Sequence, residues 1–162
     1  MEIERKYLIL QLPEHLEDYP HDHISQAYIS TDPVIRIRKK NQNHILTIKS
    51  RGLLAREEIE MPISEESFAH LLTKKDGISI EKTRYKIPES HGYLIELDVF
   101  HGVYEGFIMA EIEFPDLESA NSYEPPKWFG KDVTMDPRFH NSSLSKRTPE
   151  EITDFLNCIT KI

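Results

Sequence analysis

Residues 34–49 read VIRIRKKNQNHILTIK. Arg36 and Arg38 alternate with Ile35 and Ile37, and past a polar break at Asn41-Gln42-Asn43, Thr47 and Lys49 alternate with Leu46 and Ile48. Side chains along a strand point to opposite faces in turn, so residues of like parity share a face. Two alternating runs about a short polar break predict a tight β-hairpin with one ionic and one apolar face.

The pattern repeats outward from this hairpin. Glu2, Glu4 and Lys6 share a face; Arg56, Glu58 and Glu60 oppose Ile59 and Met61; Lys82 and Arg84 oppose Tyr85 and Ile87. Glu96 and Asp98 oppose Ile95, Leu97 and Val99, and Glu111 and Glu113 oppose Ala110, Ile112 and Phe114. Strands are expected at about 2–10, 25–31, 34–40, 43–50, 56–61, 79–87, 92–99 and 105–114, separated by breakers such as Pro20, Asp32-Pro33, Gly52 and His101-Gly102. Three helices are expected. Ser64 caps a segment carrying Phe68, Leu71 and Leu72 on one face; Pro115 to Ser122 forms a short second; Thr148-Pro149-Glu150-Glu151 is a capping box opening the last. That last helix carries Ile152, Phe155, Leu156 and Ile159 on one face, and residues 123–147 read as irregular.

Many antiparallel strands with a few helices define an α+β protein, and so many strands in 162 residues favour closure into a barrel with its ionic face inward. No repeat or linker marks a boundary, so a single domain over 1–162 is expected. The formal charge of −8 argues against a nucleic-acid surface or an anionic membrane as partner. No apolar run is long enough to span a bilayer, the start is too charged for a signal peptide, and the single Cys158 allows neither an intramolecular disulfide nor a cysteine zinc site. A cytoplasmic location is the expectation.

Fifteen charged residues fall on the ionic strand faces, seven basic and eight acidic. Like charges at i, i+2 lie about 7 Å apart and repel unless something neutralises them. A divalent cation would do so, since hard carboxylate oxygens suit Mg²⁺ or Mn²⁺, while Arg and Lys clamp phosphate oxygens. A polyanion bridged by metal fits this mixture.

In order along the chain, Glu2-Ile3-Glu4-Arg5-Lys6, Arg36-Ile37-Arg38, Leu46 through Lys49 with Gly52, Arg56 with Glu58 and Glu60, Lys82-Thr83-Arg84, Glu96-Leu97-Asp98 and Glu111-Ile112-Glu113 resemble the CYTH family, the triphosphate tunnel metalloenzymes. Residues 114–144, from Phe114-Pro115 through Asp136-Pro137-Arg138 to Leu144, look like its short bacterial subgroup. The resemblance implies an eight-stranded antiparallel tunnel that accepts a small-molecule triphosphate. It implies metal ligation by Glu2, Glu4, Glu111 and Glu113, with Mg²⁺ or Mn²⁺ as cofactor. It implies a phosphate clamp of Lys6, Arg36, Arg38, Lys49, Lys82 and Arg84, to which Arg56 is added. Glu2, Glu4, Lys6, Glu58 and Glu60 form the catalytic set, with Glu58 or Glu60 orienting the attacking water. Glu96 and Asp98 match acidic positions without an assigned role, and Lys146 is a further candidate for reaching the phosphates.

The implied activity is metal-dependent hydrolysis of the terminal phosphoanhydride of inorganic triphosphate. The alternatives are an adenylate cyclase of the class IV type, a thiamine triphosphatase, or a binder without catalysis. A homodimer follows from family analogy alone. Outside the motif, His21 and His23 are expected in an exposed loop, His140 as an exposed side chain with the tunnel mouth as the alternative, and Cys158 as at least half-buried on the last helix.

Overall fold

A computed structural model describes residues 1–161. Its strands are β1 (Glu2–Leu8), β2 (His21–Thr31), β3 (Val34–Lys40), β4 (Asn43–Lys49), β5 (Ala55–Arg56), β6 (Glu58–Pro62), β7 (Ile80–Pro88), β8 (Leu94–Phe100) and β9 (Ile108–Glu113). The helices are α1 (Glu65–Leu72), α2 (Leu117–Ser122), α3 (Asn141–Leu144) and α4 (Pro149–Ile159). The sheet order is β5-β1-β9-β8-β7-β2-β3-β4-β6, every pair antiparallel.

β5 and β6 stand at opposite edges of that order, yet only Glu57 separates them in the chain. Arg56 lies opposite Glu2 of β1, and Glu58 lies opposite Lys49 of β4. One run of chain therefore bridges the two edges and nearly closes the sheet into a barrel. The expected strand at 56–61 is this run, split in two where it changes partner, so nine strands occupy eight positions round the ring. The turn feeding it requires Gly52, whose φ is +148° and where a Cβ would lie 2.1 Å from the Ala55 carbonyl oxygen. At the β3–β4 hairpin Asn41 takes the left-handed conformation at φ +54°, which asparagine tolerates better than most residues.

Parity sorts the two sides of the barrel. Ile3, Tyr7, Ile87, Ile95, Leu97, Ala110 and Ile112 point outward and pack with Ala120 of α2 and with Tyr123. Arg5 secures that cover, donating from Nη1 to the carbonyls of Ala120 (2.8 Å) and Tyr123 (3.2 Å) and pairing with Asp132. α1 lies against β2, β3 and β4, whose Ala27 and Ile37 are fully buried. Leu8, Ile80, Phe100 and Met109 share parity with Lys6, Lys82, Asp98 and Glu111, so they point inward. They pack with Phe107, Phe139, Leu144 and the α4 residues Ile152, Phe155 and Ile159. On the β7–β8–β9–β1 side the interior thus grades from charged groups into an apolar plug.

The helices form as the caps predict: Ser64 accepts from the Ser67 amide, and Thr148 and Glu151 make the capping box of α4. Several local expectations are corrected. β2 begins at His21, because His21 and His23 pair with Tyr85 and Thr83 of β7 rather than lying in a loop. Cys158 is exposed, because at about 100° per residue it falls outside the stripe of Ile152, Phe155 and Ile159. The stretch read as irregular holds a 3-10 turn at Pro137–Phe139 and α3.

Candidate active site

The barrel encloses a cavity of about 270 Å³, at the small end of ligand pockets (~300–1,000 Å³). Every strand but β2 supplies charge at the parity the sequence dictates: Glu2, Glu4 and Lys6 from β1, Arg36, Arg38 and Lys40 from β3, and Lys49 from β4. Arg56 comes from β5, Glu58 and Glu60 from β6, Arg84 from β7, Glu96 from β8, and Glu111 and Glu113 from β9. Seven cations and seven carboxylates line the space.

Three of the residues singled out from the sequence are not on this wall. Lys82 and Asp98, 1% and 0% exposed, are sealed beneath it. Lys82 Nζ donates to Asp98 Oδ2 at 2.7 Å, and its ammonium lies 5.5 Å from the Phe100 ring centre, at the top of the plug. Lys146 lies outside the barrel and pairs with Asp76. In their place the wall gains Lys40, Tyr28, Val34 and the trio His140, Asn141 and Ser142. Lys40 shares parity with Arg36 and Arg38 and could have been read. His140 takes the tunnel-side alternative rather than the exposed one: it is 9% exposed, because the turn that buries Phe139 in the plug turns the next side chain into the cavity.

Most of the lumen charges are paired. Lys49 Nζ donates to Glu2 Oε2 at 2.9 Å and lies 3.3 Å from Glu58, and Arg56 Nε reaches Glu2 Oε1 at 3.2 Å. Lys6 donates to Glu4 and lies 3.7 Å from Glu111. Arg84 grips Asp98 with two nitrogens, at 2.7 and 2.8 Å, and reaches Glu96 at 3.1 Å and Glu111 at 3.2 Å. Burial works against these charges; it lowers Lys49 with the help of Arg36, but around Asp98, Glu111 and Arg84 the partners win. Asp98 is held below the usual carboxylate range by Arg84 and Lys82, Glu111 well below it by Lys6 and Arg84, and Arg84 well above the usual arginine value by Asp98 and Glu96. Lys82 goes the other way: burial outweighs Asp98 and lowers it to about 8.

Besides the exposed Glu60, two poles are left uncompensated. Arg36 and Arg38 have no carboxylate partner among the described residues. Arg36 Nη2 donates to the Thr47 hydroxyl at 3.2 Å, and Arg38 donates from Nε and Nη2 to Gln26 Oε1 at 2.8 and 2.6 Å. Neutral acceptors orient the guanidiniums without cancelling their charge, and Arg36 Nε is buried with no partner. Burial, then Arg36 and Arg84, lower Arg38 to about 9. Glu113 is the opposite pole. It has no cation among the described residues, and burial together with Glu2, Glu4, Glu96 and Glu58 raises its carboxyl. β3 stands four positions round the ring from β9, so the two poles face each other across the lumen.

As the side chains stand, no three carboxylate or imidazole groups among the described residues converge closely enough to hold a metal ion. Lys6, Lys49 and Arg56 occupy the oxygens of Glu4 and Glu2 instead. The donor set still fits a hard divalent cation, because Glu113 lies opposite Glu4 across the β1–β9 pair and its neighbours are carboxylates that raise its proton affinity. A cation there would relieve that repulsion.

A nearly closed antiparallel barrel with cationic and acidic walls facing across a charged lumen matches what the motif implied, and the chain belongs to the CYTH family: the CYTH domain model matches residues 1–148. Among its relatives, an inorganic triphosphatase of Nitrosomonas europaea is 38% identical over 154 residues, which cover 91% of this chain and 99% of the relative. An inorganic triphosphatase of Acetivibrio thermocellus is 40% identical over 128 residues, covering 75% and 78%. The crystal structure of the inorganic triphosphatase NE1496 superposes with a TM-score of 0.69 at 34% identity, over 92% of this chain and 97% of that one.

Proposed function

We propose that this protein is a metal-dependent triphosphatase that cleaves the terminal phosphoanhydride of inorganic tripolyphosphate within a single domain. The observation that carries the reading is the pair of uncompensated guanidiniums, Arg36 and Arg38, facing uncompensated Glu113 across a small ionic lumen. Such a cavity suits a guest that is an anion and a cation together. The names of the relatives support hydrolysis of an inorganic substrate.

Arg36 and Arg38 bind the phosphate oxygens, and their Thr47 and Gln26 partners fix the forks beforehand. Lys6, Lys49, Arg56 and Arg84 exchange carboxylate partners for phosphate oxygens as the anion enters and offset the charge that builds on the leaving phosphates. Glu2, Glu4, Glu111 and Glu113 would hold Mg²⁺ or Mn²⁺, which supplies Lewis-acid neutralisation of phosphate charge. Glu60 has no ion pair among the described residues, whereas Glu58 is 3.3 Å from Lys49, so Glu60 is assigned to accept a hydrogen bond from the attacking water. Lys82 is assigned to the floor rather than the clamp: it pins Asp98, which in turn orients Arg84.

No helix among the described residues is long and apolar enough to cross a membrane. The test is an assay of purified protein with Mg²⁺ or Mn²⁺ against tripolyphosphate, ATP, thiamine triphosphate and longer polyphosphate, with phosphate, pyrophosphate and cyclic AMP all measured. Phosphate released chiefly from tripolyphosphate is the expected result. Cyclic AMP with pyrophosphate, or tight binding without turnover, overturns it.

A further inference from the structure

The triphosphatase reading uses the strand residues of the lumen and leaves the C-terminal segment that crosses it without a task. His140 stands out there. Its side chain is on the cavity wall and almost wholly buried, and its Nε2 has no hydrogen-bond partner. A buried polar atom without a partner is costly and uncommon.

The backbone holds this residue firmly. The His140 amide donates to the Pro137 carbonyl at 3.2 Å, and its own carbonyl accepts from the Ser143 and Leu144 amides at 3.0 and 3.1 Å. Phe139 on one side and Leu144 on the other are anchored in the plug. His140 also lines a second pocket, of about 240 Å³, whose other walls are residues 31–34, residues 50–53 and Arg56. Val34, Arg56, His140 and Ser142 border both spaces, so the imidazole stands where the lumen meets its neighbour.

Burial, then Lys6 and Arg56, lower its pKa to about 4, so near pH 7 the ring is neutral. A neutral imidazole brings one N–H into a cavity crowded with cations without adding to their mutual repulsion. The cations that influence it, Lys6 and Arg56, are ones that an anionic guest would engage.

We propose that His140 is a substrate-contacting residue whose Nε2–H donates a hydrogen bond to a phosphate oxygen of tripolyphosphate at the junction of the two spaces. The contact rests on the triphosphatase reading for its ligand. It adds to the family's charged set a neutral donor that comes from no strand.

The test compares wild type with His140→Phe, which keeps bulk but has no donor, and His140→Gln, which keeps an N–H. Binding of tripolyphosphate is measured by calorimetry in EDTA, and kcat and KM are measured separately with Mg²⁺. Loss of one hydrogen bond to a charged group predicts that His140→Phe raises Kd and KM about tenfold, with kcat much less affected. His140→Gln is expected to recover most of the loss. If His140→Phe binds like wild type, or if Gln and Phe are equally impaired, the residue only fills space and the proposal fails. Should the Phe variant not fold, ¹⁵N NMR of the wild-type imidazole decides: tripolyphosphate is expected to shift the Nε2 resonance, and an unmoved resonance overturns the contact. A wild type that binds tripolyphosphate without cleaving it refutes the triphosphatase, while the EDTA binding series still decides the role of His140.

Discussion

Asp98 is the anion that Lys82 and Arg84 share beneath the lumen floor, and it is fully buried. Removing one partner of a buried ionic set leaves the others uncompensated, at a cost of roughly 3–5 kcal/mol. Asp98→Ala is therefore expected to lower the urea midpoint sharply, and a Lys82→Met change added to Asp98→Asn should recover part of it. The same residue predicts a pH dependence. Its carboxyl is held below its ordinary value of 3.8, so on acidification the unfolded chain takes up the proton first. The stabilisation is complete above about pH 4 and is lost as pH falls through the lower folded value. Melting temperature measured from pH 6 to pH 2 should fall less steeply in Asp98→Asn than in wild type; parallel acid limbs would refute the assignment. Glu113 behaves oppositely. Surrounded by carboxylates and without a cation, it destabilises the metal-free barrel, so Glu113→Gln should stabilise the fold in EDTA by roughly 0.5 kcal/mol or less at this exposed position and raise the melting temperature slightly. The same variant should lose most of its Mg²⁺-dependent phosphate release. A melting temperature below that of wild type would show that the acidic pole is not under strain.

Among the elements, the run from Gly52 to Pro62 carries the closure, because β5 and β6 hold opposite edges of the sheet. Gly52→Ala would force a Cβ against the Ala55 carbonyl oxygen at a φ that alanine rarely adopts. A loss of roughly 1–3 kcal/mol is expected, together with a raised KM for tripolyphosphate, since Arg56 sits directly after Ala55. An unchanged KM would uncouple the closing run from the site. The strands were legible because parity is a local property: one face of each carries Arg, Lys or Glu and the other Ile, Leu or Val. The split at Glu57 was not legible, because nothing in Arg56-Glu57-Glu58 says that the chain leaves one partner for another. The site followed the same division. The ionic faces of Arg36, Glu4 and Glu111 were found from their strands, whereas the depth of Lys82, which the resemblance put in the clamp, was not, because parity says which face a residue is on but not how deep it lies. The sequence left His140 between the surface and the tunnel because its placement depends on Phe139 finding the plug, a contact with Phe107 and Phe155 across tens of residues.

For the molecule as a whole, the charge is divided by location. The lumen walls balance, seven against seven, so the formal surplus of −8 belongs to the rest of the chain. That exterior repels a highly anionic guest at long range, and only the walls attract it. Association of tripolyphosphate, followed by stopped flow, is therefore expected to quicken as salt rises from 10 to about 150 mM, where the Debye length shrinks to ~8 Å. Slowing over that range would show that a local positive field at the entrance dominates.

The balance of the walls has one more consequence. A host whose own charges already neutralise one another gains less from a lone anion or a lone cation than from the two together, since admitting either alone leaves the other set without company. It favours an anion that brings its own cation. Metal and triphosphate are then thermodynamically linked: whatever factor Mg²⁺ adds to the affinity for tripolyphosphate, tripolyphosphate must add to the affinity for Mg²⁺. The fourteen charges of the walls thus act as a reciprocal lock that two ions open together.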